Sequence, residues 1–297
     1  MTAATTAIGW IGLGKMGEPM AEHLLAKGYS LRVYDLNPQP VQALVAKGAI
    51  ACASIAELAA ASTVVISIVP DDRVLKSVSE DVLANLAPGA TYMDMSTVSP
   101  EASVAAGELA RQRGVAYICA PVSGSTELAR KGVLTVFASG PAEAYQQLET
   151  LLSSFAATRH YVGGEHQARY LKLAINHLVG SSAALMAEAL SLGRKGGLDW
   201  KVMLDVMGNS VIASPLIKYK LDLLASRDFA PAFSAAQMRK DMGLVNQAGQ
   251  NSGTHMPLAA LVAEYFEAYA QQKPDNDFFG LVEAVEAQSD LPPLPRD

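Results

Sequence analysis

Hydrophobic and polar positions follow two different rhythms along this chain, and the point where one gives way to the other divides it. In the first half, short β-branched runs alternate with stretches in which apolar residues recur every three or four positions. That is the pattern of βαβ units, whose parallel strands are buried on both faces. It predicts strands at Ala7–Ile11, Leu31–Tyr34, Thr63–Ile68, Thr91–Asp94, Ala116–Ile118 and Thr135–Ala138. Helices are expected between them at Met16–Lys27, Pro38–Lys47, Val74–Asn85, Glu101–Arg113 and Ala142–Ser154. After about Gly164 the strand signals stop, and one long helical pattern runs from Glu165 to Arg194 before the Gly196-Gly197 pair ends it. Further helices are expected at Lys201–Gly208, Pro215–Ala225, Ser234–Gly249 and Pro257–Gln271, then a proline-rich tail at Leu291–Arg296. The expected fold is α/β: a doubly wound sheet domain over 1–163, and an all-helical domain over 164–297 that opens with the long linking helix.

A length of 297 residues suits two domains, since a single core stops growing near about 250 residues. The composition, half hydrophobic and 18% charged, is that of a well-buried globular protein. A formal charge of -6 argues against nucleic acid or anionic lipid as partners. Cys52 and Cys119 stand in no metal-binding or redox spacing and read as small buried hydrophobes. The five histidines likewise show no metal spacing, and no metal is expected. Met1 to Thr6 carries no basic stretch of the kind that opens a signal peptide. The longest apolar run, Leu173–Leu190, contains Asn176, His177, Ser181, Ser182 and Glu188, which argues against a membrane span. A cytoplasmic location is expected.

Candidate chemistry begins at Gly12-Leu13-Gly14-Lys15-Met16-Gly17, a GxGxxG that directly follows a predicted strand and opens a helix. Gly12 permits the tight turn, Gly14 lets the backbone approach a pyrophosphate, and Gly17 allows close helix–strand packing. This is the fingerprint of a Rossmann-type dinucleotide site. Asp35, at the end of the next strand, is placed to bind a ribose 2′-OH and repel a 2′-phosphate, favouring NAD over NADP. A second reading makes Asp35 a helix N-cap ahead of Pro38, and Arg32, Lys47 and Arg73 are cations within reach of the adenosine end.

Two segments fall at the carboxyl ends of strands, where open α/β sheets bind ligands: Val69-Pro70-Asp71-Asp72 and Asp94-Met95-Ser96-Thr97. Cofactor lining and ordinary turns or caps fit them equally. Ala120-Pro121-Val122-Ser123-Gly124-Ser125 reads as a turn whose N–H groups and hydroxyls could hold a carboxylate. Lys172 is the catalytic candidate, because Glu188 is the only other formal charge between Leu171 and Leu190. A helix that apolar should be mostly buried, and burial lowers a lysine pKa toward the range useful for proton transfer. Asn176 lies at i+4 on the same face. Lys240-Asp241 fits either a cleft-facing lysine or an exposed ion pair.

Taken together, the GLGKMG, APVSG (Ala120–Gly124), KLAIN (Lys172–Asn176) and RKD (Arg239–Asp241) segments, in this order, resemble the β-hydroxyacid dehydrogenase family. The resemblance implies NAD(H)-dependent hydride transfer to or from a small 3-hydroxy acid or its semialdehyde, with Lys172 as general acid/base. It implies that Ser123 and Gly124 bind the substrate carboxylate, Asn176 positions substrate, Lys240 reaches the nicotinamide side, and Val69, Pro70 and Thr97 line the dinucleotide. A homodimer or homotetramer is expected. Two departures bear on substrate choice: Ser125 replaces the family's second loop glycine, and Glu165-His166-Gln167-Ala168-Arg169-Tyr170 replaces its glycine-rich approach to the lysine. The alternatives are an NAD(P)H-dependent imine reductase and a non-catalytic NAD-binding protein.

Overall fold

The computed structural model describes residues 6–295, so Met1–Thr5, Arg296 and Asp297 lie outside the described residues. Its chain divides into two compact units, Met1–Lys172 and Leu173–Asp297.

The first unit is built on a nine-stranded sheet. Strands β1 (Ala7–Ile11), β2 (Ser30–Tyr34), β3 (Ile50–Ala51), β4 (Val64–Ser67), β5 (Thr91–Asp94) and β6 (Ala116–Cys119) run parallel in the order β3-β2-β1-β4-β5-β6. The order reverses between β1 and β4, the switch point at which such sheets bind ligands outside the strands' carboxyl ends. Beyond β6 come β8 (Leu134–Ser139), antiparallel to it, then β7 (Val122–Ser123), while β9 (Ala156–Gly163) pairs in parallel with β8. Ile8, Trp10, Ile66, Met93, Ile118 and Phe155 fill the core, as expected of strands covered on both faces.

Helices α1 (Gly17–Ala26), α2 (Pro38–Val45), α4 (Asp72–Asn85), α5 (Pro100–Gln112) and α7 (Ala142–Leu152) occur where their apolar spacing predicts. Two short helices, α3 (Ile55–Ala60) and α6 (Thr126–Arg130), escape that pattern because five or six residues do not complete two turns of periodicity. The two-residue strands β3 and β7 escape for the same reason. Strand β9 reads Ala-Ala-Thr-Arg-His-Tyr-Val-Gly, polar at exposed positions, and lacks the apolar run of the inner strands.

Helix α8 (Gln167–Lys195) begins in the first unit and continues into the second. It is the one helix among the described residues long and apolar enough to cross a membrane by length and composition, and half of its most apolar window is buried within its own chain. The expectation that α8 is mostly buried is corrected. Leu178, Leu185 and Leu192 are 67%, 58% and 75% exposed, a stripe at seven-residue spacing left uncovered by this chain.

The second unit is helical, as expected: α9 (Trp200–Asn209), α10 (Pro215–Ser226), α11 (Ala235–Ser252), α12 (Pro257–Gln272) and α13 (Leu281–Gln288), the last preceded by a 3-10 turn at Phe278–Gly280. Met186, Leu190, Met203, Met242, Phe266 and Phe278 form its core. Helix α13 was not expected from the sequence pattern, since it spans only two turns. Three buried ion pairs fasten this unit: Lys220 to Asp277 at 2.6 Å, and Glu286 to both Arg194 and Arg227 at 2.8 and 2.7 Å.

Candidate functional site

The glycine turn after β1 is dictated by close approach. Gly12 has φ +91, and a Cβ there would fall 2.1 Å from the Ile68 carbonyl oxygen. A Cβ on Gly17 would fall 2.0 Å from the Gly12 carbonyl oxygen. Around Gly14 the space is open, with no heavy atom within 4 Å of where its Cβ would stand. Helix α1 has no side-chain cap at Met16, whereas Asn37, Ser54, Asp71 and Ser99 cap the next four helices. Uncapped N–H groups at a helix start, with open space above a glycine, fit a pyrophosphate. Lys15 is exposed at this turn and Met16 half-buried. Leu13 turns its side chain into the core, so its contribution to the turn is its backbone.

Asp35 is not a helix cap. Its Oδ2 accepts the Leu13 N–H at 2.6 Å and its Oδ1 accepts the Asn37 N–H at 2.7 Å, while Asn37 itself caps α2 by accepting from Gln39. The carboxylate is thereby fixed beside the glycine turn, and each oxygen keeps a lone pair for a further donor.

The ends of β4 and β5 are tied to each other. Val69 donates its N–H to Ser96 Oγ at 2.8 Å, and Ser96 Oγ and Ser67 Oγ both donate to Asp94 Oδ1 at 2.7 Å. Asp71 caps α4, and Asp72 accepts the Ser99 N–H at 2.9 Å. Thr97 is half-buried and Pro70 exposed on these loops. Behind them lies Arg169, fully buried in the first turn of α8. Its guanidinium donates to the Asp94 carboxylate, the Ser96 and Asp94 carbonyls and Ser103 Oγ of α5. Burial works against the Arg169 charge, but Asp94, Cys119 and Tyr117 together outweigh it and raise its pKa. Burial, and then Asp94, push the Tyr92 phenol above its usual range.

In the loop after β6, Gly124 has φ +138, and a Cβ there would meet Leu134 Cδ2 at 2.6 Å. Ser123 is half-buried in β7, paired with Thr135. Ser125, where the family has glycine, caps α6 through the Leu128 N–H at 3.3 Å. Cys119 Sγ, just before this loop, lies 3.7 Å from His166 Nδ1.

On α8, Lys172 is half-buried and closes the first unit. In the second unit Asn176 is buried and donates its Nδ2 to Asp241 Oδ2 at 2.6 Å. Asp241 Oδ1 lies 2.9 Å from the partly exposed Lys240 Nζ. The exposed-pair reading of Lys240-Asp241 is therefore corrected at its acidic member, which is only 2% exposed and joins α11 to α8. Gly180 makes this approach possible, because a Cβ there would meet Met242 Sδ at 2.7 Å.

Residues 7–164 match the NAD binding domain of 6-phosphogluconate dehydrogenase, and residues 167–285 match the family described as NAD-binding of NADP-dependent 3-hydroxyisobutyrate dehydrogenase. The 2-(hydroxymethyl)glutarate dehydrogenase of Eubacterium barkeri is 34% identical over 264 residues, covering 88% of each chain. The NAD-dependent L-serine dehydrogenase of Pseudomonas aeruginosa is 33% identical, over 94% of this chain and 97% of that one. The chain belongs to the β-hydroxyacid dehydrogenase family. A solved relative, Mycobacterium tuberculosis 3-hydroxyisobutyrate dehydrogenase with L-serine, superposes with a TM-score of 0.89 at 27% identity, over 96% of this chain and 99% of that one.

Membership in this dehydrogenase family makes the chain an NAD(P)-dependent oxidoreductase, and the glycine turn and Asp35 offer the geometry a dinucleotide needs. Three roles were not read from the sequence: Arg169 as the buried partner of Asp94, Asp241 as the partner of Asn176, and the Trp10 indole as a hydrogen-bond donor to the Gly12 carbonyl. An arginine one turn before Lys172 in so apolar a helix was a usable signal. The Asn176–Asp241 pair spans 65 residues, and no local pattern reports it.

Proposed function

We propose that the chain interconverts a small 3-hydroxy acid and its semialdehyde, using NAD(H) in preference to NADP(H), with Lys172 as the general acid/base. NAD(H), which the glycine turn and Asp35 would hold, would supply the hydride acceptor in oxidation and the hydride donor in reduction. Ser123 and the Gly124 backbone hold the substrate carboxylate. In oxidation the neutral Lys172 amine takes the hydroxyl proton, and in reduction its ammonium gives that proton back. Asn176, immobilised by Asp241 one helical turn beyond Lys172, orients the substrate hydroxyl beside the amine. Val69, Pro70 and Thr97 line the dinucleotide and Lys240 serves its nicotinamide end.

The observation that carries this reading is the fixed side chain of Asn176 at i+4 from a half-buried lysine on one helix. The names of the two relatives describe acids with a hydroxymethyl group on the carbon bearing the carboxylate, and that core defines the substrate class. Asp35 supports the preference for NAD, because its anchored carboxylate repels a 2′-phosphate. The uncovered leucines of α8 support a homo-oligomer, since an apolar stripe of this size marks a protein interface. A cytoplasmic location accords with these substrates.

Lys172→Ala tests the assignment against serine, 3-hydroxyisobutyrate, glycerate and 3-hydroxypropionate with both cofactors. Turnover on the best substrate should fall by roughly 100-fold or more while NADH affinity stays within about twofold. A variant that keeps near-normal turnover removes Lys172 from the mechanism.

A further inference from the structure

Trp10 carries a polar contact that neither strand packing nor the glycine fingerprint requires. Its side chain is fully buried in the core, edge-on to Phe155 at 6.0 Å between ring centroids. Its indole Nε1–H donates to the Gly12 carbonyl oxygen at 2.9 Å. The other end of the same peptide unit, the Leu13 N–H, donates to Asp35 Oδ2 at 2.6 Å. Gly17 presses against that carbonyl as well.

A peptide group is planar, so hydrogen bonds at its carbonyl and at its N–H together fix its rotation. This matters at Gly12, because a glycine at positive φ has alternative backbone wells open to it that other residues lack. If the Gly12–Leu13 plane turns, the N–H groups that follow it no longer converge where the pyrophosphate binds, and Asp35 loses its tether. We infer that Trp10 is a positioning residue for cofactor binding, its indole N–H holding the Gly12–Leu13 peptide in the orientation the dinucleotide requires. The inference rests on the nicotinamide cofactor and is independent of which hydroxy acid is the substrate. Apparent affinity scales with the fraction of molecules in the competent conformation, so loss of the N–H weakens binding without touching the chemical step.

Trp10→Phe keeps an aromatic ring in the core and deletes the donor. Its Kd for NADH, by fluorescence titration, should rise about three- to tenfold, the factor one net hydrogen bond is worth. The NAD-over-NADP preference should narrow, and kcat at saturating cofactor should stay within about twofold of the parent. Phe155→Leu, which loosens the same packing but leaves the donor, should lower Tm and leave the NADH Kd unchanged. A second measurement needs no variant of Trp10. The chain has two tryptophans, and in 15N-labelled protein the Trp10 indole resonance, assigned by its persistence in Trp200→Phe, should shift and exchange more slowly as NADH saturates.

A folded Trp10→Phe with parental NADH affinity overturns the inference. So does a Phe155→Leu that weakens NADH as much as Trp10→Phe does, or a Trp10 indole signal unmoved at NADH saturation. Failure of the unsubstituted chain to bind NADH overturns both this inference and the dinucleotide reading beneath it.

Discussion

Replacing Arg169 by methionine would leave a hole in charge rather than in volume. The guanidinium has no solvent contact and gives hydrogen bonds to Ser103 Oγ, two carbonyls and the Asp94 carboxylate, which is itself fully buried. With methionine at 169, Asp94 Oδ1 keeps its two serine donors, but Oδ2 loses its ion pair. Removing one partner of a buried pair costs about 3–5 kcal/mol, because the remaining charge is stranded away from water. Each kcal/mol moves Tm by about 2–4 °C in a domain of this size, so a loss near 4 kcal/mol corresponds to a fall of about 8–16 °C. Thermal unfolding followed by circular dichroism measures it directly. The double variant Asp94→Asn with Arg169→Met removes both charges, leaves an Asn oxygen for the two serines, and should recover at least half of the loss. A single variant within about 1 kcal/mol of the parent, or a double variant no better than the single, would refute the account of this network.

His166 and His177 are both shifted to lower pKa, chiefly by burial. The unfolded chain therefore takes up protons first as pH falls through about 6.5, so stability should drop between pH 7.5 and pH 5.5. In urea unfolding at the two pH values, His166→Asn with His177→Asn should flatten that drop, and an unchanged slope would assign it to other groups. Lys220→Met strands the buried Asp277 carboxylate and should destabilise the second unit by about 3–5 kcal/mol in urea unfolding, whereas a change below about 1 kcal/mol would refute the pair's role. Leu178→Glu with Leu185→Glu should convert the proposed homo-oligomer to monomer in light scattering with little change in secondary structure, and a retained oligomer would place its interface elsewhere.

Local rules made much of this legible. The glycine turn was readable because each glycine answers a steric demand made by its near neighbours, and the inner strands because burial on both faces writes an unbroken apolar run. Strand β9 was not, since its side chains meet solvent and only its backbone pairing with β8 makes it a strand. Asp35 was placed at the right strand end, yet the competing capping role fell to Asn37, a choice set by two residues of turn geometry. The α8 stripe misled in the opposite direction: hydrophobicity records that a surface avoids water, without recording whether this chain or another covers it. Arg169, Asp241 and the Trp10 indole all act across long sequence separations or through the backbone, where periodicity is silent.

Among the described residues β9 pairs only with β8, so the backbone donors and acceptors along its far side end the sheet. Thr158 and His160 are exposed on it and Tyr161 is 40% exposed, with Arg159 folded back to donate to the Ala156 carbonyl at 2.6 Å. Bulky and charged groups on a terminal strand make it a poor template for a strand from a neighbouring molecule. The edge of the sheet thereby guards the concentrated protein against strand-to-strand association with other copies.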